Sequence, residues 1–126
     1  MEQITADGYM QEPVRFPSLQ LIDLKAEGNA VTESYQNRVL NRINDGCLRL
    51  SVLQEQYPWH KHPHSDELFL VVEGCLRVEF KDSSPIDIGS LQALTVPAGV
   101  IHRTRGVGRT VTLCFEKLAA ETVFLE

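Results

Sequence analysis

The amino-acid sequence predicts an all-β protein, a sandwich or barrel of short strands. Three observations carry that expectation. Roughly eight short segments are rich in apolar residues, several of them alternating with polar ones at the period of a strand with one buried face. Glycine, proline, asparagine and aspartate punctuate them at close, regular spacing, as turns require. Helical composition is confined to one stretch, Glu116 to Glu121, too short to organise a fold.

Taken in order, residues 1–18 carry Gly8, Pro13 and Pro17 with little periodicity and read as an extended N-terminal arm of the same domain. Residues 19–126 are expected to form the barrel. Leu19 to Leu24 reads as a strand ended by the turn composition Glu27-Gly28-Asn29. Tyr35 to Ile43 is a weaker strand, followed by the turn Asn44-Asp45-Gly46. Next, Leu48, Leu50 and Val52 alternate with Arg49, Ser51 and Leu53, which predicts one buried face. Glu67 to Val72 is a strand, Glu73-Gly74 a tight turn, and Cys75 to Phe80 the returning strand, with Leu76, Val78 and Phe80 opposite Arg77 and Glu79. Ile86 to Ile88 and Leu91 to Val96 are short strands on either side of Gly89-Ser90. Ile101 to Arg105 and Thr110 to Phe115 are expected to form a hairpin through Gly106-Val107-Gly108.

The bulk composition narrows the function classes. A chain of 126 residues holds one domain with its own core. Its formal charge of -5 argues against a nucleic-acid binder, which normally presents a basic face. The first eight residues are polar and acidic, unlike a secretory or transit signal, and the longest apolar run, Leu68 to Val72, is far too short to span a membrane. Cys47, Cys75 and Cys114 are odd in number and widely spaced. They read as reduced, packed thiols, so the expected location is cytoplasmic.

One stretch carries the chemistry: Trp59-His60-Lys61-His62-Pro63-His64-Ser65-Asp66-Glu67 holds three of the four histidines in the chain. Imidazole nitrogens and carboxylate oxygens are the ligands of divalent transition metals. In an extended segment His60 and His62 point the same way, and Pro63 favours an extended conformation at His62. Glu67 opens the next strand and can reach the same ion if the loop turns back. His102, after its own Pro97-Ala98-Gly99 turn, could supply a fourth ligand. His64 shares parity with the pair, so a shifted pair His62/His64 is an alternative, and a solvated histidine pair is the bland one.

The spacing resembles the cupin superfamily. Its first motif is matched by His60-x-His62, Glu67 and Gly74, and the second half of its second motif by Pro97-x-Gly99 and His102. The resemblance covers roughly residues 45–116 and is to the small single-domain cupins. It departs at Leu91, where the second motif opens with glycine, the nearest glycine being Gly89. It departs again at Gly106, where asparagine sometimes stands. The resemblance implies a double-stranded β-helix, a jelly-roll barrel, with His60, His62, Glu67 and His102 holding one divalent transition metal ion. Iron, manganese, nickel, zinc and copper all suit such a donor set, so the residue types do not choose among them. It further implies a metal-dependent enzyme on a small organic substrate, dioxygenase-like or isomerase-like, with Glu67 as the catalytic proton acceptor. The alternatives are a non-catalytic module that binds or senses a small ligand, and a purely structural barrel.

Parity extends the reading. If Glu67 points inward, Phe69 and Val71 line the pocket, while Leu68, Leu70 and Val72 face outward and need a cover. A homodimer is the preferred cover, with the N-terminal arm or the C-terminal segment as the alternative. Asp66, of opposite parity to Glu67, is expected to cap the turn or to hold a ligand histidine. Arg103 and Arg105, of opposite parity to His102, are expected at the surface or an interface rather than as substrate clamps, and Tyr57 and Trp59 at a pocket rim or in packing.

Overall fold

The computed structural model describes residues 3–4 and 13–125. Residues 5–12, most of the expected arm, lie outside the described residues. The elements are β1 (Gln3–Ile4), α1 (Leu24–Asn29), β2 (Tyr35–Ile43), β3 (Gly46–Leu53), β4 (Gln56–Lys61), β5 (Glu67–Glu73), β6 (Cys75–Phe80), β7 (Ile86–Gly89), β8 (Ala93–Val96), β9 (His102–Gly106), β10 (Thr110–Lys117) and β11 (Thr122–Phe124).

They form two antiparallel sheets. One runs β1-β11-β4-β9-β6-β7 and the other β2-β3-β10-β5-β8. This is the all-β jelly-roll architecture expected from the sequence. Between the sheets lies a core that includes Phe69, Val71, Leu76, Val78, Ile88 and Val96, drawn from both layers. Phe69 and Val71 face inward, as parity requires.

The chain changes sheet at two glycine turns that the sequence reads as hairpins. β5 belongs to the five-stranded sheet and β6 to the six-stranded one, so Cys75 to Phe80 does not return along β5. At Gly74 the backbone takes φ 93, the left-handed region that glycine enters freely, and swings the chain across the barrel. Likewise β9 and β10 lie in different sheets, with Gly108 at φ 77 in the connection. True sequential hairpins are β2–β3, through Asn44, and β6–β7.

Two local expectations are corrected by tertiary contacts. Leu19 to Leu24 is not a strand. Instead Asp23 caps helix α1 by accepting from the Ala26 N–H at 3.1 Å, and the expected turn Glu27-Gly28-Asn29 is helical. The helix lies close on the sheet, because a Cβ at Gly28 would sit 3.2 Å from Val111 Cγ1. Glu27 is buried there and pairs with Arg15 at 3.1 Å and Arg38 at 3.2 Å. At the other end of the chain, Glu116 to Glu121 is not a helix. Glu116 and Lys117 complete β10, paired with Cys47 and Gly46, and the chain turns into β11.

β3 is buried on both faces rather than one. Leu50 and Val52 pack outward against Val111, Leu113, Leu40 and Val31, with Phe16, Ile22 and Leu24 laid over them. Arg49, Ser51 and Leu53 point into the barrel and are also buried. Leu70 and Val72 of β5 join the outer cluster. The cover over this face therefore includes Phe16 from the expected arm, and Ile22, Leu24 and Val31 from the segment after it, which was expected to belong to the barrel.

Cys47 and Cys114 are buried and Cys75 half-buried, and among the described residues no disulfide joins them. Among the described residues no helix is long and apolar enough to cross a membrane.

Candidate metal centre

The four expected ligands meet at one end of the barrel interior. His60 on β4 and His102 on β9 are cross-strand partners in the six-stranded sheet. His62 follows β4 by one residue, and Glu67 opens β5 in the opposite sheet. Their ligand atoms all lie within 4.8 Å of one another, and all four side chains are buried.

Two loops hold them there. The His62 carbonyl accepts from the Gly99 N–H at 2.9 Å, and the Asp66 carboxylate accepts from the Ala98 N–H at 2.9 Å. The turn before His102 is thus tied to the loop that follows His62. Asp66 caps that turn and does not touch a ligand histidine. Ser65 Oγ adds a third tie by accepting from the Lys117 N–H at 3.0 Å.

The tautomers are set by the backbone. His60 Nδ1 lies 2.8 Å from the Pro58 carbonyl, His62 Nδ1 3.0 Å from Glu121 and His102 Nδ1 2.9 Å from Val100. A carbonyl only accepts, so each Nδ1 carries the proton and donates it. Thr122 Oγ1 lies a further 3.2 Å from His62 Nδ1. Each Nε2 is then turned into the barrel, and the Nε2 atoms of His62 and His102 stand 3.2 and 3.4 Å from Glu67 Oε1. His102 Nε2 and Glu67 Oε1 are fully buried, and as neutral imidazole and carboxylate they face one another without a proton between them. Orphaned acceptors facing one another are costly in a low-dielectric interior, and a cation between them removes the cost. The donor set fits a divalent transition metal.

The electrostatics follow the same geometry. Burial, then the neighbouring His102, lowers the His60 pKa to about 4. His62 is also penalised by burial, but its hydrogen bond to Glu67 and the charges of Glu67 and Glu116 win and raise it to about 9. Burial works against the Glu67 carboxylate too, yet contacts from His102 and His62 hold it below the usual carboxylate range. The Cys114 thiol is pushed well above its ordinary value by burial first and by Glu67 and Glu116 next. It stays protonated, which removes it as a thiolate nucleophile.

The cavity beside the cluster has a free volume of about 50 Å³. By the size of a water-occupied void that is room for a few waters or a small molecule. Its wall includes Tyr57, Phe69, Thr104 and Thr112, and also Arg49 and Glu116. The sequence reading did not assign these last two. The signal was there: Arg49 and Glu116 share inward parity with Ser51 and Cys114, but charged residues in a strand read by default as solvent-facing. Tyr57 meets His60 edge-on, at 4.9 Å between ring centres.

The remaining candidates fall outside. His64 is exposed and is not part of the cluster. Arg103 pairs with Glu79 at 3.1 Å and covers the Trp59 ring at 4.4 Å, with Lys81 at 4.1 Å from that ring. Trp59 is therefore held among cations instead of lining the cavity.

Comparison with known proteins gives a consistent result. The Cupin_2 cupin-domain model matches residues 50–116. YdbB, an uncharacterized protein of Bacillus subtilis strain 168, is 45% identical over 104 residues, covering 82% of this chain and 92% of its own. Among solved structures, protein NMB1881 of Neisseria meningitidis is 31% identical with a TM-score of 0.70, covering 78% of this chain and 99% of its own. A cupin-2 domain protein of Shewanella frigidimarina has a TM-score of 0.72 at 25% identity, covering 77% and 94%. A double-stranded β-helix protein of Klebsiella pneumoniae, 12% identical, reaches 0.72 over 86% and 93% and shares the fold.

Proposed function

The chain belongs to the cupin-domain family, and from that premise we propose that it is a metal-dependent enzyme acting on a small organic molecule, dioxygenase-like or isomerase-like. His60, His62, Glu67 and His102 hold one divalent transition metal ion. The observation that supports this reading most directly is the shared tautomer. Three Nδ1–H groups are committed to backbone carbonyls, which turns all three Nε2 atoms toward one another and toward Glu67.

When bound, the ion supplies a Lewis acid with coordination positions left open for a small molecule. The chain's own residues do the rest. Backbone carbonyls orient the imidazoles, and Glu67 offsets part of the ion's charge and is the candidate proton acceptor. Phe69 and Tyr57 narrow the cavity and exclude water, which strengthens every charge inside it. The cavity's size limits the substrate to a small molecule.

The test is elemental analysis of the purified protein, before and after reconstitution with iron, manganese, nickel or zinc. Occupancy below about a tenth of an equivalent, with no gain on reconstitution, defeats the metal reading, because a preformed site of this kind binds strongly. Oxygen uptake by the iron form across catechols, diketones and thiols then tests catalysis. A ligand that co-purifies without turnover points instead to a binding or sensing module.

A further inference from the structure

Besides the histidines, three charged side chains line the cavity, and all project from the five-stranded sheet: Glu67 from β5, Arg49 from β3 and Glu116 from β10. Arg49 Nε lies 2.9 Å from Glu116 Oε1, with the two side chains only 4% and 3% exposed. Arg49 Nη1 also donates to Asn37 Oδ1 at 3.0 Å. Glu116 Oε2 is 3.8 Å from His62 Nε2, so the pair sits beside the ligand cluster. Burying two charges costs several kcal/mol per ion, and a well-packed apolar pair is often as stable. Packing alone is thus a weak reason for an ion pair on a pocket wall.

What the pair does contribute is charge at a defined place. Histidine ligands are neutral when they hold a metal. In the metal-loaded pocket a divalent ion and Arg49 then stand against Glu67 and Glu116, which leaves one net positive charge. Without Glu116 there would be two, and without Arg49 none. A buried net charge is expensive until a counter-charge joins it.

We propose that the Arg49–Glu116 pair sets the metal-loaded pocket to take a small monoanion, an oxygen anion of the carboxylate or enolate type. Such a ligand brings the buried charge to zero. Asn37, Ser51 and Thr104 line the same cavity and supply polar groups around that oxygen. The inference rests on the metal-bound reading and adds the class of ligand to it.

Calorimetric titration of acetate into zinc-loaded protein tests this, with zinc content first equalised by elemental analysis. Arg49→Gln should weaken acetate, and Glu116→Gln should tighten it, each by about tenfold or more, the least expected of a unit charge a few ångströms away in a partly shielded interior. The double variant R49Q/E116Q restores the net charge and should return acetate to within about threefold of the parent protein. A merely structural pair would shift both single variants the same way. That outcome overturns the proposal, as does a double variant that stays weak. If neither single variant folds, the parent protein decides. Acetate should bind at least about tenfold more tightly than its neutral isostere acetamide, and equal affinities overturn the proposal. Protein that takes up no zinc sinks the metal reading and this inference together. Zinc-loaded protein whose acetate affinity ignores both charge changes sinks this inference alone.

Discussion

His62 Nε2 and Glu67 Oε1 stand 3.2 Å apart, almost fully out of water, and each sets the other's charge. In the metal-free protein the imidazole holds a proton that an isolated histidine would give up near neutrality. The carboxylate stays ionised beside it although burial opposes its charge. The proton on His62 does for Glu67 what the proposed metal ion would do.

The metal-free protein should accordingly show a stability maximum near pH 6.5. His62 has a folded pKa raised from 6.5 to about 9, so its stabilisation is complete below 6.5 and is lost as pH rises through about 9. His60 is shifted the other way, to about 4, so the unfolded chain binds the proton first and stability falls as pH drops from 6.5 towards 4. Glu67, held low, loses its own contribution as pH falls further. Thermal melts of chelator-treated protein across this range check it. A flat profile between pH 6.5 and 9 counts against the His62–Glu67 assignment.

Removing single ligands separates the cluster from its neighbour in sequence. His60→Ala and His102→Ala should each lower metal affinity at least about tenfold, as loss of a ligand group does. His64→Ala should leave metal content unchanged, because His64 is exposed and outside the cluster. Equilibrium competition against a chelator measures all three. A drop for the His64 variant equal to the others would restore the shifted pair.

Asp66→Ala removes the acceptor of the Ala98 N–H. The bond is partly solvated, so the loss should cost about 1 kcal/mol of stability. It should also weaken metal binding by loosening the turn before His102. Asp66→Asn keeps an acceptor and should recover most of both. Denaturant melts and chelator competition on the two variants decide whether the tie acts on the site.

Leu91 has φ 64 and is 82% exposed, so it bears left-handed strain without the return of a packed side chain. Leu91→Gly should stabilise the protein by about 0.5–1 kcal/mol, the strain relieved less the extra chain entropy of glycine. Gly74→Ala should do the reverse by about 2–4 kcal/mol, since a methyl at φ 93 would also sit 2.6 Å from the Arg109 carbonyl oxygen. Urea denaturation of both variants gives the two signs directly.

The Leu91 strain shows how far local reading reaches. The motif's opening glycine is replaced there, and the backbone still adopts the conformation a glycine would take, so the departure in sequence marks a strained turn in the structure. Alternation likewise identified the strand segments around β3 and β6, and strand parity the inward direction of Phe69 and Val71. The grouping of His60, His62 and Glu67 was legible because they lie in one stretch, whereas His102 joined them only through the resemblance to the two cupin motifs.

What the sequence alone determined is therefore local: which residues share a strand face, where the chain turns, and that His60, His62 and Glu67 lie close together along the chain. Tertiary structure decided which sheet each strand joins, so that β5 and β6, and β9 and β10, part company at their glycines. It made residues 24–29 a helix laid against Val111, and residues 116–117 the end of a strand. It also turned Arg49 and Glu116, charged residues with the look of a solvent face, into the wall of the cavity. The physical reason is common to all of these. A period of two says that residues lie on the same side, but only contacts between distant segments say what that side meets.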